Sequence, residues 1–186
     1  MIAVKWFVVV LSVVLVGCSS TSIDAPVGPW ADEIAKAQRS ASTDFERDVL
    51  ADGSITRGEY QEASQRYVDC MRTAGYDTRA VDPIGAGLFQ YQTSVPIGEP
   101  DLDDDVSDRC HRGSLDLIEP LYGSLLTNPN REDFDVLVFG CLQRNGFASE
   151  NLTVSEFKQR YSGKEKPPWN LDDGRVLLCY ANPGRG

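Results

Sequence analysis

Residues 55–76 read ITRGEYQEASQRYVDCMRTAGY, and this stretch predicts a helix with both ends written into it. Thr56 and Glu59 stand three apart, as in a capping box, where hydroxyl and carboxylate each accept from a backbone N–H the helix leaves unpaired. Ile55 and Tyr60 occupy the two positions of a hydrophobic staple around that box. Tyr60, Ala63, Tyr67, Cys70, Met71 and Ala74 then recur at steps of three and four, which makes one face apolar. Gly75 falls where a left-handed cap favours glycine, and Tyr76 can fold back onto Met71. The expected fold class follows: mainly α, a small helical domain.

Working outward, the same grammar returns. Residues 152–157 (LTVSEF) repeat aliphatic-Thr-x-x-Glu-aromatic, and residues 141–147 (CLQRNGF) repeat the Cys-aliphatic-x-x-x-Gly-aromatic of 70–76. This suggests two related helical units, at about 53–126 and 129–186. Upstream, Pro29 opens a helix with Asp32 and Glu33 in its first turn. Its apolar stripe is Trp30, Ile34, Ala37, Ala41, Phe45 and Val49, and Asp52-Gly53 ends it. Residues 87–95 alternate like a short strand whose partner the sequence does not name. Residues 104–126 read as one helix, with Val106, Cys110, Leu117, Leu121 and Leu125 inward and a kink at Pro120. A break at Asn128-Pro129-Asn130 precedes a helix marked by Phe134, Leu137, Val138, Cys141 and Leu142. Residues 164–170 read as a loop, and Arg175 to Tyr180 as a short apolar element, helix or strand.

The N-terminus carries an address. Lys5 gives a short positive region, and residues 6–16 are apolar except for Ser12, a run long enough for a signal peptide and too short to cross a bilayer. Leu15-Val16-Gly17-Cys18 resembles the lipobox of bacterial lipoproteins. The resemblance implies cleavage after residue 17, a diacylglycerol on the Cys18 thiol and often a further acyl chain, such as palmitate, on the new amino group. Several chains anchor stably where one does not. Residues 18–28 then read as the lipidated Cys and a flexible tether, and 29–186 as the helical extracytoplasmic domain, held at the outer face of the cell membrane.

Setting Cys18 aside leaves four cysteines, and an even count in an exported chain argues for two disulfides. Three pairings are available. If each unit staples itself, the pairs are Cys70–Cys110 and Cys141–Cys179. No two cysteines lie two to four apart and there is one His, so a zinc site is not expected. The net charge of −10 opposes nucleic acid as a partner.

Candidate chemistry is thin. Residues 48–59 match a calcium-binding EF-hand loop in part, with Asp48 first, Asp52 fifth, Ser54 seventh and Glu59 twelfth. Leu50 stands where a third side-chain oxygen is needed. Asp101, Asp103, Asp104, Asp105 and Asp108 read as the solvated entrance of a helix. His111 adjoins Cys110, but neighbours on a helix do not face each other. Trp169, after Pro167-Pro168, could face a glycan or peptide, with core packing the blander reading. No nucleophile elbow, phosphate-binding glycine loop or zinc-protease motif is present. No cofactor, metal or catalytic residue is assigned.

The stretch from Asp44 to Tyr76 is similar to uncharacterised secreted lipoproteins of Gram-positive actinobacteria, which carry an LxDGxIT…EY…CMxxxGY signature with further cysteines downstream. The chain departs from their CMRxxGxxxPDP pattern at Val81-Asp82-Pro83. The resemblance implies an envelope location. Residues and resemblance together lead to the expectation of a non-catalytic module that binds an envelope protein, peptide or wall component from its anchor at Cys18. Two alternatives stand beside it: a solute-capture accessory of a transporter, and a lipid-anchored hydrolase using carboxylates.

Overall fold

The computed structural model describes residues 26–95, 98, 104–161 and 165–186. The chain is mainly α, braced by two disulfides. In order it runs α1 (Ala31–Ser40), α2 (Asp44–Leu50), α3 (Arg57–Thr73), β1 (Asp77–Val81), β2 (Gln90–Ser94), α4 (Asp104–His111), α5 (Ile118–Thr127), α6 (Phe134–Arg144), α7 (Val154–Tyr161) and α8 (Gly174–Ala181).

Helix α3 has the ends its sequence specifies. Thr56 Oγ1 accepts from Glu59 N, and Glu59 Oε2 accepts from Thr56 N at 2.7 Å. Gly75, at φ +97°, closes the far end, where Tyr76 N donates to Met71 O at 3.0 Å. Tyr60, Ala63, Tyr67 and Met71 are buried as expected, but Ala74 is exposed, because the chain has already left the helix at that cap. The turn after α6 repeats this geometry: Gly146 lies at φ +75° and Phe147 N donates to Leu142 O at 2.9 Å. A second box, Thr153 with Glu156, opens α7.

Two expected long helices are each broken in two. The stripe from Trp30 to Val49 is divided at residues 41–43 because Thr43 and Glu46 form another capping box and start a new helix. Glu46 is only 1% exposed, and its Oε2 accepts from Ser42 N at 2.7 Å and Thr43 N at 3.2 Å. The stretch 104–126 breaks at Gly113 (φ +76°), not at Pro120. Pro120 is the third residue of α5, where its missing N–H would have no intrahelical partner.

The expected strand finds its partner in β1. The two pair antiparallel, with Thr78 opposite Thr93 and Ala80 opposite Tyr91. Residues 174–181 resolve as a helix, capped by Asp173. Phe134, one of the residues that mark α6 in the sequence, is 40% exposed at its start.

The apolar interior falls into separate clusters. The largest packs α3, the hairpin, α4 and α5 around Tyr60, which stacks on Tyr122 at 4.3 Å and Phe89 at 5.2 Å. A smaller one joins α1, α2 and α5 through Ile34, Leu50 and Leu121. Another lies wholly within α6–α8 and the loop before α8, around Phe157, Trp169 and Val176. Each half also has its own cystine: Cys70–Cys110 ties α3 to α4, and Cys141–Cys179 ties α6 to α8. The halves share the turn after their first cysteine, not their topology, since the hairpin belongs to the first alone among the described residues.

Candidate functional site

The two halves meet along a seam built from hydrogen bonds. Asn128, 8% exposed, ends α5. Its side chain accepts from Glu132 N and donates to Glu132 O, each at 2.8 Å, while its own carbonyl accepts from Trp30 Nε1 at 2.8 Å. Arg131, at φ +52°, pairs with Glu33 at 2.5 Å and lies 4.9 Å over the Trp30 ring. A left-handed arginine costs about 1–2 kcal/mol, which this ion pair and ring contact offset. On the other side, Asn182 is 1% exposed and donates to Ala86 O at 2.8 Å, and Arg185 donates to Gly85 O at 3.0 Å. Asp82 shapes the receiving loop by accepting from Ala86 N at 2.8 Å and Gly87 N at 2.9 Å.

Between these contacts a cleft of about 250 Å³ lies open. One wall is a single face of α6: Val136, Leu137, Gly140 and Arg144 fall at helical steps of three and four. The turn at residues 128–130 and the segment Pro183-Gly184 form the other. Gly140 is part of that wall. A glycine inside a helix costs about 1 kcal/mol against alanine, and a methyl group here would meet only Arg144 Nη1, at 3.5 Å. No close approach by the rest of the protein accounts for it. Arg144 donates through Nη2 to Pro183 O at 3.0 Å and to Gly186 O at 3.4 Å, so the cation at one end of the cleft is held in place. Glu132 also lines the cleft.

A second polar cluster lies inside the first half. Tyr60 Oη donates to Glu119 Oε1 at 2.8 Å and accepts from Phe89 N at 2.9 Å, and Tyr91 Oη donates to Ser64 Oγ at 3.1 Å. Burial raises both phenol pKa values well above the usual tyrosine value, and the Glu119 carboxylate raises them further. Both therefore stay protonated and fasten the hairpin to α3 and α5. In the second half, burial also raises Tyr180, opposed by the nearby Trp169 indole. That indole N–H is buried with no hydrogen-bond partner among the described residues.

The residues singled out in the sequence scatter. Cys18 lies outside the described residues, as do Asp101 and Asp103 of the acidic run; Asp104 and Asp105 form the first turn of α4. The EF-hand-like residues do not converge. Asp48 lies exposed within α2, Asp52 Oδ1 accepts from Ser54 N at 2.9 Å, and Glu59 turns back to cap α3. Among the described residues no group of three or more His, Cys, Asp or Glu side chains is placed to hold a metal ion. His111 packs edge-on against Tyr67 at 4.4 Å, and Cys110 beside it is oxidised. Trp169 is 6% exposed and packs with Phe157 and Tyr161. The seam residues Asn128, Arg144 and Asn182 were not singled out in the sequence. The one signal there was Gly140 within a run that otherwise forms helix.

Among the described residues no helix is long and apolar enough to cross a membrane. Comparison with protein-family models, with curated proteins and with solved structures found no match.

Proposed function

We propose that the chain is a lipid-anchored extracytoplasmic protein whose helical body is a non-catalytic binding module of the cell envelope, with the seam cleft as its binding face. The observation that carries this reading is the pair of cystines, one closing each half. Thiols that meet in this way persist as disulfides in oxidising compartments and are rarely kept in the cytosol. The same chain begins with a charged, then apolar, segment ending in Leu-Val-Gly-Cys. Acylation at Cys18 would hold the body at the membrane surface, and residues 19–28 would let it reach a partner.

The test is metabolic labelling with a clickable fatty acid, followed by fractionation. The parent chain should carry label and sediment with membranes; Cys18→Ala should lose the label and leave the membrane fraction. An unlabelled parent, or a Cys18→Ala variant that fractionates as the parent does, refutes the anchoring.

A further inference from the structure

We infer that residues 182–186 form a strap that gates reduction of the Cys141–Cys179 cystine by dithiols, and that the seam with the first half holds the strap shut. Cys141 and Cys179 are both 0% exposed, and Gly186 lies against their sulfurs. A Cβ added to Gly186 would stand 2.5 Å from Cys141 Sγ, 3.1 Å from Cys179 Sγ and 3.3 Å from Cys179 N. No side chain fits there, and two bonded sulfurs cannot swing aside. Asn145 Nδ2 covers them as well, at 3.8 Å from Cys141 Sγ and 3.7 Å from Cys179 Sγ.

The strap is short and fastened on both sides. Arg185 N and Gly186 N donate to Asn182 O at 3.0 Å and 3.3 Å, so the segment turns back on the end of α8, the helix that carries Cys179. Arg144, on the helix that carries Cys141, donates to Pro183 O at 3.0 Å and Gly186 O at 3.4 Å. The remaining ties cross the seam: Asn182 Nδ2 to Ala86 O at 2.8 Å and Arg185 Nη1 to Gly85 O at 3.0 Å. One turn thus shields the second cystine and fastens the second half to the first, so what loosens one contact loosens the other. Reduction needs that turn to lift. A dithiol's thiolate must bond to one sulfur as the S–S bond breaks and the other cysteine leaves as a thiolate. The dithiol's second thiolate then displaces the mixed disulfide. Two electrons and two protons pass in all: both cysteines end as thiols and the dithiol as a disulfide. With Gly186 seated, neither sulfur is open to the first approach.

The experiment is timed dithiothreitol reduction of the full chain in detergent micelles, with thiol trapping and mass spectrometry to follow each cystine. The chain carries Cys18→Ala so that only the four paired cysteines react. Gly186→Ala should speed reduction of Cys141–Cys179 at least about tenfold and leave Cys70–Cys110 at the parent rate. Arg185→Ala, which cuts the tie to Gly85 O, should speed it about threefold. Thr153→Ala is the control. Its hydrogen bonds are to Glu156 in α7, so its loss weakens the same half while the strap's fastenings stay in place, and the rate should remain near the parent's. An unchanged rate in Gly186→Ala, or an equal rise in Thr153→Ala, overturns the gate. An Arg185→Ala rate equal to the parent's overturns the tie to the seam. With Cys18 removed from every chain compared, the outcome is independent of the anchoring.

Discussion

Gly113→Ala tests how the first half is assembled, because Gly113 answers to two constraints at once. Its φ of +76° lies in the left-handed region, and an added Cβ would sit 2.6 Å from Thr43 Cγ2. Thr43 cannot simply turn away. Its hydroxyl accepts from Glu46 N at 3.2 Å to cap α2 and donates to Gly113 O at 3.0 Å. The left-handed backbone costs alanine about 1–2 kcal/mol, partly offset by about 0.4–1 kcal/mol from the stiffer unfolded chain. Overlap with a pinned side chain adds about 1–3 kcal/mol. The net loss should be about 2–4 kcal/mol, or about 5–15 °C in Tm for a domain of this size. Gly75→Ala is the control. Gly75 also has positive φ, +97°, but nothing lies within 4 Å of an added Cβ, so it should show the backbone cost alone. Thermal melts of the oxidised chain followed by circular dichroism give both values. Thr43→Ser removes the offending methyl and keeps the capping hydroxyl, so Gly113→Ala with Thr43→Ser should recover the overlap part. If Gly113→Ala and Gly75→Ala melt together, or Thr43→Ser recovers nothing, the docking of α2 on the 113 turn is wrong.

The chain should lose stability at both pH extremes for different reasons. Tyr60, Tyr91 and Tyr180 have raised pKa values, so their contribution is intact below the ordinary value of 10.0 and is lost as pH rises through the folded values. A tyrosinate absorbance titration should show a late component coinciding with loss of helical signal; reversible ionisation of all seven tyrosines with the helices intact would refute it. On the acid side, Asp133 is lowered chiefly by its bond to Lys158, Glu156 by Thr153 N–H, and Asp173 by Arg175. Their contribution is present above the ordinary 3.8 and 4.5 and is lost as pH falls through the lowered values. The cystines should differ in kinetics more than in thermodynamics. Their sequence separations of 40 and 38 predict about 4 kcal/mol each from chain entropy. Cys70 is only half-buried, whereas Cys141 and Cys179 are 0% exposed. Graded dithiothreitol with thiol trapping and mass spectrometry should open Cys70–Cys110 first, and the reverse order would contradict this packing.

What the sequence made legible was local. The Thr56–Glu59 box, the Gly75 cap and its echo at Gly146 are written in adjacent residues, so reading them needs no knowledge of the fold. The break at residues 41–43 was equally local, in Thr43 and Glu46, yet the stripe through Ile34, Ala37, Phe45 and Val49 runs across it without losing register. Periodicity therefore reported one helix where capping chemistry makes two. Strand β1 escaped notice because its inward residue Thr78 is polar. It is 1% exposed and satisfied by Thr93 Oγ1 at 3.0 Å, a pairing that no hydrophobic pattern records. Pro120 misled in the opposite way, because a proline suggests a break and here sits harmlessly in a first turn.

The cleft was illegible for a different reason, which also explains where it lies. Its walls come from residues 127–130, one face of α6 and Pro183-Gly184, segments brought together only by packing. Each half has an apolar cluster and a cystine of its own, so the seam is not where either closes its apolar core. A boundary freed from that duty can be polar, as the contacts of Asn128, Arg131, Asn182 and Arg185 are. Substitution at Gly140 or Glu132 on this lining should therefore cost the fold little, whereas loss of Arg144, which donates to Pro183 O and Gly186 O, should loosen the C-terminal segment.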